Sequence, residues 1–341
     1  MLLIDGSYKH GGGSILRLAS GFSVLTQKSI KVINIRADRP DTGLKQQHLQ
    51  GLRAISSICN GNLVGDKMNS TEIEFCPGSI ERDFVEINVP TAGSIGLILQ
   101  PIILAAIFAK QKIKIKINGG ATVGKWAPPI YFLQNVTLEL LKKIGYEIDI
   151  KILKHGFYPK GGAKVEAEIN PTKKLKPLKL EEQGEIKKIN GISMASSYLE
   201  KSVVAERQKN VAEFELKKFF DKELISIKTE YIKTESPGSC IVLWLETENC
   251  ILGSDAIGEM NVKAEMLGKN AAQDLIECYQ LGATVDKYTA DQIIPFLGLT
   301  KNSTIKIQKI TGHIETALWL SELFLEMKFD IIKNNCVVIK D

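Results

Sequence analysis

Two stretches of this chain, far apart in sequence, follow one layout, and this narrows the architecture more than any single motif. Residues 138–152 (LELLKKIGYEIDIKI) and 321–334 (SELFLEMKFDIIKN) each run through an apolar helix end, a basic residue, an aromatic and then an Asp-Ile strand. Glycine-rich turns recur as GGG at 11–13, GG at 119–120 and GG at 161–162. A repeated α/β unit of this size cannot bury its own sheet face, so several copies must pack together.

The periodicities agree. SIKVINIRA (29–37) and KIKIKING (112–119) alternate apolar and polar residues with period two, which predicts half-buried strands. Leu44, Leu52, Ile55 and Ile58 fall at helical spacing in 44–58. Residues 93–109 (GSIGLILQPIILAAIFA) are apolar all round and predict a helix covered on most sides, with Pro101 in a first turn or at a kink. A predicted helix start at Asp41-Thr42 follows a proline turn.

Residues 172–190 (TKKLKPLKLEEQGEIKKIN) are charge-dense and almost free of aromatics, as in a connector or domain edge. A compact α/β pattern follows: a strand at GISMASS, an amphipathic helix over 203–220, strands at ISIKTEYIKT and CIVLWLETE, and a helix over 263–282. The repeat-like pattern resumes at Val285, so the middle segment reads as an insertion. The predicted fold is α/β (α+β). A large domain of repeats spans 1–184 and 279–341, and a small inserted α/β domain spans 185–278.

With 341 residues, 44% apolar and 24% charged, the chain excludes wholesale disorder. A net charge of +5 permits a nucleic-acid partner without requiring one. The six cysteines (59, 76, 240, 250, 278, 336) form no CxxC pair and no zinc-like cluster with histidine, which fits reduced thiols. The start does not read as a signal peptide. The run from Pro90 to Ala109 contains Thr91, Ser94, Gln100 and Pro101, so it reads as a buried helix rather than a membrane span. The expected location is the cytoplasm, with no membrane partner.

Several residues could carry chemistry. GSYKHGGGS (6–14) has the glycines of a phosphate loop, but Gly12 stands where a Walker lysine is required. Three consecutive glycines ahead of a helix still let backbone N–H groups approach an anion, and the same loop also serves as a tight strand-to-helix turn. Arg36 and Arg39 suit a phosphate ester, or equally a solvated turn. His48, among Leu44, Leu49 and Leu52, fits packing or capping. His313 stands at a glycine-to-helix junction, fixed on one side and exposed on the other, where the helix end favours a neutral, nucleophilic imidazole. Asp291 and Gln292 beside Tyr288 could hold a nucleobase and ribose, or simply start a helix.

Eight segments carry a resemblance: IDGSYKHGGGSILR (4–17), RADRPDTGLKQQHLQG (36–51), TAGSIGLILQ (91–100), GGATVGKWAPP (119–129), HGFYPKGGAKVE (155–166), SPGSCIVLW (236–244), YTADQIIPFL (288–297) and TGHIETALWLSELF (311–324). In that order they resemble the RNA 3′-terminal phosphate cyclase family over nearly the whole chain. The resemblance implies three βαβαββ units with a small domain inserted in the third. It implies that ATP and a divalent metal (Mg2+ or Mn2+) convert an RNA 3′-phosphate to a 2′,3′-cyclic phosphodiester through a covalent histidine–AMP, with His313 as the histidine. It places ATP at Gln100, Tyr288, Thr289, Ala290, Asp291 and Gln292, the phosphates near Arg17, Arg36, Arg39 and Gln47, and adenine near Pro128. The implied partner is RNA with a 3′-phosphate end, and the expected assembly a monomer or homodimer.

One departure stands out. The family has Glu, linked to the metal, where this chain has His10, and Gln where it has Ser14. Imidazole is a poorer magnesium ligand than a carboxylate. The alternative is a non-catalytic cyclase-like protein that binds RNA in ribosome biogenesis, although such relatives lack the histidine found at 313. A transferase of the related enolpyruvyl-transferase fold would lack that motif as well.

Overall fold

The computed structural model describes residues 1–9, 12–125, 127–333 and 337–340. The first sheet is built from β1 (Leu2–Asp5), β2 (Ile30–Ile33), β3 (Asn62–Val64) and β4 (Ile73–Cys76), interleaved with α1 (Gly13–Thr26) and α2 (Gln46–Ile58). Its order is β1-β2-β4-β3; β1 and β2 are parallel and the other pairs antiparallel.

The same order returns in β5 (Phe84–Ser94), β6 (Ile113–Ala121), β7 (Glu147–Lys154) and β8 (Lys164–Asn170), paired β5-β6-β8-β7 with only the first pair parallel. Between these strands lie α3 (Ile95–Ala105) and a segmented helix: α4 (Ile130–Phe132), a π-helical turn Leu133–Thr137, and α5 (Leu138–Lys143). Pro101 sits inside α3, beyond its first turn.

A separate sheet follows, made of β9 (Ile186–Ser196), β10 (Ile225–Ile232), β11 (Ser239–Thr247) and β12 (Ile251–Ile257) in the order β10-β9-β11-β12. Helices α6 (Val204–Leu216) and α7 (Ala264–Gln280) cover one of its faces: Ser193 Oγ donates to the Ala205 carbonyl, and Ser254 Oγ to that of Ala271.

The repeat pattern returns with α8 (Lys287–Leu297), β13 (Thr304–Ile307), α9 (Gly312–Leu325), β14 (Asp330–Lys333) and β15 (Val337–Lys340), in the order β13-β15-β14. An isolated bridge flanking β13 comes from the charge-dense stretch read as a connector. Lys179 pairs in parallel with Thr304, the Leu180 amide donates to the Thr304 carbonyl at 2.7 Å, and Leu175, Leu178 and Leu180 are buried. The surrounding lysines hid three leucines with a core face.

Strand alternation sets the layers. Ile113, Ile115 and Ile117 of β6 are buried while the lysines between them are exposed, so this sheet has one dry face. Each such isoleucine contributes about 1.5–3 kcal/mol of burial free energy. Helices α1, α2, α3, α8 and α9 pack on one another within one large apolar cluster that reaches all three repeat sheets. Among the described residues, no helix is long and apolar enough to cross a membrane.

Candidate active site

Helix α1 starts without a side-chain cap: Gly12 occupies the N-cap position and offers no acceptor for the first-turn N–H groups. Those donors stay available to a ligand. A Cβ at residue 13 would collide with His48 Nε2 and stand 2.7 Å from Arg17 Nη1, so only glycine lets these groups close on the backbone.

His48 is buried in the first turn of α2. Its Nδ1 accepts the Lys45 backbone N–H at 3.2 Å, which is the capping role its surroundings suggest. That bond places the proton of the neutral ring on Nε2. Burial, then Arg17, Arg36 and Lys45, hold the ring well below its ordinary value of 6.5, so it is neutral at pH 7. Among the described residues Nε2 is a buried atom with no hydrogen-bond partner, and so is Arg36 Nε. Two unspent donors beside an uncapped helix end form a cradle for an anion.

Helix α2 begins at Gln46, four residues beyond the predicted start at Asp41-Thr42. The delay comes from the backbone. Gly43 takes positive φ (71°), which no helical residue adopts, and the loop is tied back by the Arg36 guanidinium donating to the Asp41 carbonyl at 3.0 Å. The loop brings Arg39 to 3.6 Å from the space beside Gly12.

Arg17 is the charge at the centre. Burial lowers its pKa to about 10, opposed by Asp291 and assisted by Arg36, so it remains a cation. Its Nε donates to Gln100 Oε1 at 2.8 Å, tying α1 to α3. Asp291 on α8 is pushed up to about 7 by burial, against the pull of Arg17. Gln47 Oε1 accepts the Ser94 N–H at 3.1 Å, which fixes α2 against β5.

His313 lies in the first turn of α9, exposed, after the N-cap Thr311, whose Oγ1 accepts the Ile314 N–H at 3.3 Å. Its Nδ1 stands 3.3 Å from Ser14 Oγ in the first turn of α1. Two helix N-termini, 299 residues apart in sequence, therefore converge on one imidazole. His313 and Arg39 line an open cavity of about 450 Å3 with Lys9, Asp38 and Gly312. A salt bridge of 3.1 Å between Lys9 and Glu315 braces one side.

The α8 residues divide their roles. Tyr288 is exposed at the helix start, edge to face with Phe132 of α4 at 6.3 Å between ring centroids. Gln292 Oε1 accepts from Thr137 Oγ1 at 3.4 Å. Thr289 is buried and its hydroxyl donates to Asp286 at 2.8 Å, while Ala290 is in the core, so these two side chains hold the helix. Pro128 is half-buried just before α4. His10 lies outside the described residues. Among the described residues no group of three or more His, Cys, Asp or Glu side chains could hold a metal ion.

Sequence reasoning passed over Asp286. It is buried, caps α8 by accepting from the backbone N–H groups of Tyr288 and Thr289, and also accepts from the Gly253 N–H of β12 at 3.0 Å. An Asp one residue before a helical run was the available signal. The Ser14–His313 contact had none, because nothing local links positions 14 and 313.

The model for RNA 3′-terminal phosphate cyclases matches residues 8–331. RNA 3′-terminal phosphate cyclases from Pyrococcus abyssi and Pyrococcus furiosus are 43% and 42% identical to this chain, covering 97% of it and 95% of each relative. The protein of that name from Methanosarcina barkeri is 41% identical, covering 98% of this chain and 97% of the relative. With an exposed histidine, unspent donors and an open helix end gathered in one place, and a family match over nearly its full length, the chain belongs to the RNA 3′-terminal phosphate cyclase family.

Proposed function

We propose that this protein is an ATP-dependent ligase that converts an RNA 3′-terminal phosphate to a 2′,3′-cyclic phosphodiester. The observation that carries the reading is the convergence of α1 and α9 on His313 beside the cradle of Arg17, Arg36, Arg39 and His48. A phosphate dianion is a poor electrophile, and its oxygens leave badly. Adenylylation supplies a leaving group, and a nucleophile with surrounding cations is what that requires.

In this reading Ser14 Oγ accepts the His313 Nδ1–H, which leaves the Nε2 lone pair to attack the α-phosphorus of ATP. The new N–P bond forms as the bond to pyrophosphate breaks. The uncapped α1 amides, the His48 Nε2–H and the arginines take the charge of the displaced oxygens. An oxygen of the RNA 3′-phosphate then displaces His313 from the adenylyl phosphorus, regenerating the imidazole. Attack by the vicinal 2′-hydroxyl on the RNA phosphorus closes the ring and expels AMP. Tyr288 and Pro128 are the surfaces assigned to adenine. A divalent ion (Mg2+ or Mn2+) would be held mainly by the nucleotide's phosphate oxygens and would neutralise their charge.

The test is conversion of an end-labelled RNA 3′-phosphate. With ATP the terminal phosphate is expected to become resistant to phosphatase, with AMP and pyrophosphate released in equal amounts. An end that stays phosphatase-sensitive with every divalent ion, while the RNA still binds, would move the assignment to a non-catalytic RNA-binding protein. The cytoplasm is the compartment proposed with this role.

A further inference from the structure

The face of the β10-β9-β11-β12 sheet opposite α6 and α7 is only partly covered. Phe132 and Val136 pack on Val242 and Ile251, and a Cβ on Gly253 would stand 2.7 Å from both Phe132 and Val136. Beyond this seal lies a cleft of about 490 Å3. Cross-strand register builds its floor: Ser226 pairs with Asn190, Asn190 with Trp244, and Lys188 with Glu246, while Lys228 extends the floor along β10. Asn135 and Glu139 of the helical segment form the wall.

The floor is rigid. Glu246 accepts from Trp244 Nε1 and from Asn190 Nδ2, each at 3.2 Å, and its charge is met by Lys188 at 3.1 Å. One carboxylate thus fixes an indole, an amide and an ammonium side by side on a sheet. We propose that this cleft binds a nucleotide of single-stranded RNA upstream of the reacting 3′ end. In it Trp244 stacks a base, the Asn190 and Asn135 amides meet base edges, and Lys188 and Lys228 meet phosphates. The inference rests on the substrate class proposed above.

Continuity supports the location. Asn135 stands two residues before Thr137, which donates to Gln292 of α8, and Phe132, on the same segment, meets Tyr288. One helical segment therefore has the cleft on one side and the proposed adenine surface on the other.

The test uses the full chain and two 5′-labelled oligoadenylates ending in a 3′-phosphate: one of about ten nucleotides, a length that can span such a platform, and a dinucleotide. Trp244→Ala should weaken the longer RNA about tenfold, leaving the dinucleotide unchanged. Trp244→Phe should retain most affinity. Lys228→Glu, a change on the open floor, should weaken the longer RNA and flatten its salt dependence. His313 labelling by ATP should match wild type in all three. Wild-type affinity for the longer RNA in both Trp244→Ala and Lys228→Glu would overturn the inference while leaving the proposed activity standing. Equal weakening on the dinucleotide would assign Trp244 to packing and overturn it too. Failure of the wild-type chain to bind either RNA would bring down the substrate reading and this site together.

Discussion

Helices α1 and α3 each precede the second strand of their sheets, and α8 precedes β13, which the Lys179 bridge flanks in the same way, yet their N-termini differ. Asp286 caps α8 with two backbone N–H bonds, and Ser94 Oγ caps α3 by accepting the Leu97 N–H. Helix α1 has glycine and no side-chain cap. A cap stabilises by about 1 kcal/mol, so leaving one out forgoes stability. What gathers at α1 instead is Arg17, Arg39 and the unspent Nε2 of His48. Of these three helix ends, two are closed by a side-chain cap and one keeps its first-turn donors uncapped.

The sharpest way to break this contrast is to give a glycine in the first turn of α1, and one in that of α3, a methyl group. Gly13→Ala drives a Cβ into His48 and Arg17, and ATP affinity should fall about tenfold or more, the worth of at least one charge-assisted hydrogen bond. Gly96→Ala, in the first turn of α3, meets nothing closer than 3.8 Å. It should leave ATP binding intact and raise stability by up to about 1 kcal/mol. Calorimetric titration and thermal unfolding separate the two, and equal ATP affinity in both variants would remove α1 from the binding site.

Cap deletion comes next. Asp286→Ala strips four hydrogen bonds from a buried junction and should cost about 2–3 kcal/mol, against about 1 for Ser94→Ala. Denaturant midpoints measure both. A smaller loss at Asp286 than at Ser94 would mean that the α8 end is held by packing instead.

The remaining effect is one of pH. Burial raises Asp291 from 3.8 to about 7 in the folded chain. Between those values the folded chain holds a proton that the unfolded chain has released, so this group's contribution falls as pH rises and levels off above about 7. His48 and His155 act with the opposite sign. Burial depresses both, His155 to about 4, and their contribution is lost as pH falls below 6.5. Those histidines are common to wild type and Asp291→Asn and cancel in the difference. The wild-type-minus-variant stability should therefore decline from pH 4 to 7, and a flat difference would place Asp291 in water.

The contrast also explains what the sequence could disclose. Strand alternation in 112–119 and the apolar run of α3 were legible because burial writes its period directly into residue choice. The bridging segment at Lys179 was not, because Lys173, Lys174, Lys176 and Lys179 are interspersed with Leu175, Leu178 and Leu180 and break up any apolar period. The α2 start lies at Gln46 and not at Asp41-Thr42 because Gly43, with φ of 71°, breaks any helix begun there. For the site, residue types and motif order pointed to His313, Arg17 and Arg39. They could not reveal that the Thr289 hydroxyl donates to Asp286, that Gln47 Oε1 accepts from Ser94, or that His48 keeps a donor in reserve. Such roles depend on distances between segments far apart in the chain.

One imidazole decides the matter. Incubated with ATP radioactive at the α-phosphate, the wild-type chain should retain label through denaturation, in an acid-labile, alkali-stable bond, and His313→Ala should retain none while unfolding at the wild-type temperature. Equal label on the alanine variant, or none on a wild-type chain that binds ATP, would contradict the account.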